Sequence, residues 1–275
     1  MKMILNRLVI GLVGSLSLGA LSASANLEVS AAVQIHANAD FEAPLAPQGA
    51  WIEVGSYGRC WRPTGVAVDW RPYCYGHWVW TDCGWYWASD EPWAWACYHY
   101  GCWVYDPVNA WVWVPGIEWA PAWVSWRVGG GFIGWAPFAP PGLFFAGHVA
   151  PSSFVFVEAN RFHETLRPST VIVNNTTIIN KTTQISELKR ETRSFDGAKP
   201  QKVVINEGPG RNVIQKATGR EFSVTPIREA VRQTPLPVTM TGRPSEPPMP
   251  GGPPSRPSGP PRGRGEGRGH GRDRF

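Results

Sequence analysis

The chain has 275 residues, 43% of them hydrophobic and 17% charged, and a formal net charge of +5. The positive excess sits at the two ends, so the body between them is close to neutral and is not a basic, polyanion-binding domain. All 16 tryptophans, all 7 tyrosines and all 5 cysteines fall between Trp51 and Trp135, and that block organises the rest.

Met1 to Ala25 combines a basic start (Lys2, Arg7), an apolar run from Leu8 to Leu21 and Ala23-Ser24-Ala25 before Asn26. This is the layout of a cleavable secretory signal. No cysteine follows the site, so a lipoprotein anchor is not expected, and no later stretch reaches the roughly 18 apolar residues of a spanning helix. The mature protein is expected to be soluble and exported, in the periplasm or at the cell surface.

The tryptophan block repeats itself. Tyr75-Gly76-His77-Trp78-Val79-Trp80 aligns with Tyr100-Gly101-Cys102-Trp103-Val104-Tyr105, and Trp85-Tyr86-Trp87 with Trp111-Val112-Trp113. A degenerate earlier copy begins at Tyr57-Gly58. Such tandem copying marks a small supersecondary unit. Within each copy large and small residues alternate with period two, the strand signature. Glycine-containing breaks at Tyr75-Gly76, Thr81-Asp82-Cys83-Gly84, Tyr100-Gly101 and Gly129-Gly130-Gly131, with a further break at Ser89-Asp90-Glu91-Pro92, predict turns. The expectation is an antiparallel meander or small barrel with strands near 65 to 74, 77 to 81, 85 to 88, 93 to 99, 102 to 106, 110 to 114, 122 to 128 and 132 to 138. A turn at Thr81 to Gly84 pairs Trp80 with Trp85 and Trp78 with Trp87, placing four indoles on one face. Such a face is either core or a stacking surface, and with so many indoles several are expected to be partly exposed.

Export places the cysteines where disulfides are allowed. Cys83 with Cys97 or Cys102 is the expected bridge, and the odd count leaves at least one thiol unpaired in a monomer. Cys97, His99 and Cys102 also lie close enough in sequence for a metal, but they lack the paired ligand spacing of zinc sites. No metal or cofactor is assigned.

After Pro140 the composition changes. Phe154 to Val157 predicts a short strand, and the β-branched, Asn-rich run from Val171 to Asn180 one or two more. Glu187 to Lys199 reads as a charged connector. Asn212 as N-cap and Gly219 as C-terminal stop predict one short helix near 213 to 218, with a strand from Glu221 to Ile227. Four regions follow: a signal at 1–25, a tryptophan-rich β domain at 41–142, a smaller β region with one helix at 143–232, and a tail at 233–275. Between Pro235 and Phe275, 20 of the 41 positions are proline or glycine, a composition that cannot build a core and predicts disorder.

Trp61-Arg62-Pro63, Asp69-Trp70-Arg71-Pro72-Tyr73, Gly76-His77-Trp78-Val79-Trp80-Thr81, Ser89-Asp90-Glu91-Pro92-Trp93, Trp111-Val112-Trp113-Val114-Pro115-Gly116 and Trp119-Ala120-Pro121-Ala122-Trp123 closely resemble the bacterial Trp-rich family called domain of unknown function 6600. The resemblance spans about 41 to 140 and implies a bacterial envelope protein with no established activity, so it carries over no functional residues. The cysteines depart from the family pattern, which weakens a family-wide disulfide or metal role.

Two readings of function remain. In the first, a non-catalytic module stacks glycan or peptidoglycan on Trp78, Trp80, Trp85, Trp87, Trp93 and Trp95, with Asp90 and Glu91 as polar partners. The block carries four arginines and no lysine against seven acids, which suits neutral sugars better than polyanions. In the second, the tryptophans are all core and the tail arginines Arg262, Arg264, Arg268, Arg272 and Arg274 tether the protein to anionic envelope polymers or nucleic acid. Catalysis is disfavoured: Asp90 and Glu91 are adjacent in one loop instead of flanking a sugar, and no nucleophile or metalloprotease motif is present. The strands are too short for a transmembrane barrel. Oligomeric state is not legible.

Overall fold

A computed structural model describes residues 35–138, 149–173, 175–185, 188–194 and 201–236, all within the first of two compact units, Met1–Met240. The elements run α1 (Glu42–Leu45), β1 (Gly49–Val54), β2 (Gly58–Pro63), β3 (His77–Thr81), β4 (Gly84–Ala88), α2 (Ala94–Cys97), β5 (Tyr100–Asp106), β6 (Ala110–Trp119), β7 (Val124–Gly129) and β8 (Phe132–Pro137). Then come β9 (Val155–Glu158), β10 (Ile172–Val173), α3 (Thr176–Lys181), β11 (Thr183–Ile185), β12 (Lys189–Arg193), β13 (Gln201–Ile205), α4 (Arg211–Thr218) and α5 (Ile227–Arg232). The architecture is mainly β and antiparallel, as the period-two alternation predicts. Its sheets are β1-β2-β6-β5, β10-β9-β8-β7-β11, and the two-stranded pairs β3-β4 and β12-β13.

One rule of register recurs through the tryptophan block: tryptophan faces tryptophan. Trp78 pairs with Trp87 and Trp80 with Trp85 across β3-β4, as predicted. Trp51 pairs with Trp61, Trp61 and Trp103 both pair with Trp113, and Trp126 pairs with Trp135. Cross-strand aromatic pairs each contribute roughly 0.5 to 1 kcal/mol beyond Ala pairs. The rings then interlock between sheets. Trp78 lies 4.5 Å from Trp126 and 5.6 Å from Trp135, centroid to centroid, which joins the small hairpin to the five-stranded sheet.

Several expected elements are corrected. No strand forms at 65 to 74; Gly65 and Pro72 interrupt it, and Tyr73 adopts φ +59 so that its hydroxyl donates to Tyr98 O at 3.1 Å. The strands β1 and β2 lie just before it instead. The run 93 to 99 is a helical turn, α2, in which Trp93, Ala94, Trp95, Ala96 and Cys97 are all buried. When every side is covered, alternation no longer distinguishes strand from helix. Tyr75-Gly76 and Tyr100-Gly101 are not hairpin loops. Gly76 forms a bridge with Leu166, and Gly101 sits at the irregular start of β5. Both glycines are nevertheless required, because a Cβ at Gly76 would lie 2.1 Å from Ala88 O and one at Gly101 2.2 Å from Val114 O.

In the second half, β9 and the stop at Gly219 (φ +67) are as expected. The helix before Gly219 is α4, and its N-cap is Gly210, not Asn212. Only the start of the 171 to 180 run is a strand; Asn175 accepts from Ile178 N at 3.1 Å and caps α3. The charged connector contains β12, whose exposed charges face outward while β13 buries Val203 and Ile205. The segment 221 to 226 forms no strand, and α5 follows it. The expected boundary at 142 also falls inside a sheet, since β8 pairs with β9 and β7 with β11.

A buried amide ties the halves together. Asn206 Nδ2 donates to Ala122 O and Val124 O, both at 3.1 Å, and its Oδ1 accepts from Trp126 Nε1 at 2.7 Å. Its backbone oxygen accepts from Trp85 N at 2.9 Å, so close to Gly84 that a Cβ there would lie 2.0 Å away.

Candidate functional site

Twelve of the sixteen tryptophans are buried, and Trp51, Trp80, Trp119 and Trp123 are half-buried; none is exposed. This corrects the predicted stacking surface. Trp78, Trp85, Trp87, Trp93 and Trp95 lie inside the main core, where their faces meet other rings instead of solvent. Trp80 keeps partial exposure but packs edge-on against Trp85 at 4.9 Å. The indole N–H groups of Trp78, Trp87, Trp93, Trp95 and Trp103 have no hydrogen-bond partner among the described residues, so these side chains act as bulk hydrophobes.

Asp90 and Glu91 do reach a cleft. A cavity of about 570 Å³ is lined by Tyr75, Gly76, His77, Ala88, Ser89, Asp90, Glu91, Pro92, Thr165, Leu166, Arg167, Gln233 and Thr234. Its geometry follows from two devices. The paired bonds between Gly76 and Leu166 (Gly76 N to Leu166 O, 3.2 Å; Leu166 N to Gly76 O, 2.6 Å) bring the Thr165 to Arg167 segment against β3. Glu91 N donates to Ser89 Oγ at 3.2 Å, folding the loop after β4 into a compact turn.

The two carboxylates differ. Glu91 Oε1 accepts from Trp70 Nε1 at 2.8 Å, and Oε2 accepts from Ser89 Oγ at 3.3 Å and from the Tyr98 hydroxyl. Burial raises its pKa, and the three donors oppose that rise. Asp90 is exposed at the cleft. It faces His77, whose pKa is lowered by partial desolvation of the ring and raised again by the Asp90 charge. Arg167 is exposed and forms no ion pair among the described residues. The cleft therefore offers an aromatic and imidazole wall, a free carboxylate, a free guanidinium and the polar groups of Thr165 and Gln233. Sequence reasoning found Asp90 and Glu91 but missed Tyr75, His77, Arg167 and Gln233. Tyr75 and His77 flank the glycine of the repeat, whereas Thr165 to Arg167 carry no motif.

The expected disulfides are corrected too: all five cysteines are free and buried. Cys83 packs with Tyr86, Val203, Ile205 and Ile227, while Cys97 points from α2 into the tryptophan core. The Tyr100-Gly101 loop that would bring Cys97 and Cys102 to the end of the sheet where Cys83 lies does not form, because Gly101 sits within the irregular start of β5. Burial pushes the thiols of Cys83 and Cys102 up to about 12. His99 does not join Cys97 and Cys102; its ring stacks on Tyr86 at 4.5 Å and its Nδ1 donates to Ala120 O at 3.2 Å. Among the described residues no three His, Cys, Asp or Glu side chains gather as a metal site. No helix among them is long and apolar enough to cross a membrane. The signal segment and Arg262, Arg264, Arg268, Arg272 and Arg274 lie outside the described residues.

The tryptophan pairs of β1 to β8 fall within one comparison. Residues 42–142 match the DUF6600 family model, a family of unknown function. The resemblance carried by the Trp-Arg-Pro and Gly-His-Trp motifs is therefore borne out over this segment. No curated protein and no solved structure matches the chain. The DUF6600 segment supplies Tyr75 to Pro92 of the cleft, and the remaining lining residues come from beyond it.

Proposed function

We propose that this protein is an exported, non-catalytic component of the bacterial cell envelope that holds a saccharide, glycan or peptidoglycan, in the Tyr75 to Arg167 cleft. The observation that carries this reading is the pairing in one 570 Å³ cleft of aromatic surface with an unengaged carboxylate and an unengaged guanidinium. Ring faces stack on sugar C–H groups, and charged side chains take bidentate bonds from or to vicinal hydroxyls. Binding without turnover is supported by Glu91, whose oxygens are both occupied by fixed donors and are not positioned as a free acid or base.

Calorimetric titration of the protein with peptidoglycan fragments and soluble polysaccharides tests it. One class should bind, and Asp90→Asn and Arg167→Gln should each weaken it by roughly tenfold, the value of one charged hydrogen bond. Absence of saccharide binding at millimolar concentration, or indifference to both substitutions, would sink the reading.

Burial of the indoles favours a second reading, in which the tryptophan block is a structural module and Arg262, Arg264, Arg268, Arg272 and Arg274 tether it to anionic polymers. Deleting 235–275 should then abolish low-salt association with such polymers while leaving the fold unchanged. Retained association would exclude the tether.

A further inference from the structure

A second groove, separate from the saccharide cleft, lies beside the tip of the β5-β6 hairpin. It has a volume of about 470 Å³, and Asp69, Trp70, Arg71, Tyr105, Trp111 and Ser152 contribute to its lining. A smaller pocket of about 280 Å³ adjoins it through Tyr105, Trp111, Ser152 and Ser153 and continues onto Tyr57 and Trp103. Val68, Tyr105 and Val173 in the larger groove are exposed, Tyr105 at 60%. Apolar groups left uncovered side by side mark a contact site more often than isolated ones do.

Arg71 distinguishes this groove from ordinary apolar surface. Its guanidinium lies 5.5 Å from the centroid of the Trp111 ring, and Nη2 donates to Ser152 O at 2.8 Å. Its Nε is buried without a partner, and it forms no ion pair among the described residues. Arg127 gives the internal standard. It is also half-buried over an aromatic ring, Phe154, but it spends three hydrogen bonds on Thr182 Oγ1, Ile179 O and Thr182 O. Arg127 is a satisfied structural clamp, whereas Arg71 uses one of its five donors. A desolvated guanidinium with donors to spare is matched by a carboxylate, which its planar fork binds bidentately.

We propose that this groove binds a peptide-like ligand ending in a free carboxylate. Arg71 takes the carboxylate, and Asp69 at the same groove accepts the adjoining amide N–H. Tyr105 and Trp111, 5.6 Å apart and edge to face, cover the terminal side chain. A single arginine beside an aspartate suits a singly charged acid and disfavours a phosphate, which would meet Asp69 with two negative charges.

The test is titration of the full chain with N-acetyl-alanyl-alanine as the free acid and as its amide, read by aromatic fluorescence and calorimetry. The acid should bind, and the amide should bind at least about tenfold more weakly, as expected for a lost charged hydrogen bond. Arg71→Gln should remove the preference for the acid, and Arg71→Lys, which keeps the charge without the fork, should fall between. Because Arg71 also clamps Ser152, near-UV circular dichroism accompanies each variant. Should Arg71→Gln misfold, the acid-to-amide ratio and Tyr105→Ala, an exposed position, decide the matter instead. Equal binding of acid and amide, no binding of either at millimolar concentration, or displacement by inorganic phosphate at the same concentration overturns the proposal. Asp90→Asn should leave this binding unchanged, so failure of the saccharide reading and failure of this one are told apart.

Discussion

The two full copies of the tryptophan repeat fold to the same register and reach different environments. Trp78 and Trp80 face Trp87 and Trp85 in the β3-β4 hairpin; Trp103 and Tyr105 face Trp113 and Trp111 at the equivalent places in β5-β6. Each copy opens on a glycine that no side chain can replace without striking a carbonyl oxygen. The first hairpin is a two-stranded pair pressed between the five-stranded sheet and the Asn206 segment, and all of its indoles are buried or half-buried. The second lies at the edge of the four-stranded sheet, and a longer tip around Asp106 to Ala110 lifts Tyr105 into solvent. The repeat thus specifies strand pairing and a buried indole face in both copies, and what packs against each hairpin decides whether its last aromatic, Trp80 or Tyr105, is covered.

Four measurements would break or sharpen this contrast. Trp87→Ala empties a fully buried position in the first copy and should lower unfolding stability by about 3 to 5 kcal/mol in denaturant titration. A loss under about 1 kcal/mol would mean the first hairpin is not core. Asn206→Ala keeps the backbone bonds to that hairpin but removes the amide that anchors their segment to Ala122, Val124 and Trp126, for an expected cost of about 3 kcal/mol. If the cost is negligible, ring packing and the backbone bonds of Asn206 to Cys83 and Trp85 suffice to hold the first copy.

His99 joins the two copies, stacked between Tyr86 and Trp119. Burial lowers its pKa to about 4, below the unfolded value of 6.5. The unfolded chain therefore takes up a proton first as pH falls, and stability present above pH 6.5 is lost on the way down through pH 4. The loss amounts to about 3 kcal/mol. His99→Phe should flatten that part of the pH–stability profile, and an unchanged slope would assign it to other groups. The smallest effect is expected for Tyr105→Ala, within roughly 0.5 kcal/mol of the parent, because the position is exposed. A larger loss would mean that Tyr105 packs like its counterpart Trp80 in the first copy.

Particular residues show what was legible. Thr81 to Gly84 announced the β3-β4 turn, because a two-residue loop with a glycine at φ +88 leaves one register open. Gly219 likewise announced the end of α4. The 93 to 99 segment misled because its small residues are alanines, which fit a helix as readily as a strand once both sides are covered. Asp90 and Glu91 were found as polar loop residues beside aromatics, but the stacking partners assigned to them were wrong. The indoles are too valuable as buried area to be left at the surface.

By itself the sequence determined the β class, the tandem aromatic repeat, the principal hairpin register and the family of the tryptophan block. These depend on local period and turn chemistry, which a chain carries in its neighbours. Only the tertiary structure decided which indoles are buried, that the cysteines stay apart, that β9 and β11 extend the sheet past the repeat, and that Arg167 and Gln233 line one cleft with Tyr75. Those outcomes depend on contacts between residues tens of positions apart, and such contacts leave no mark on the sequence around either partner.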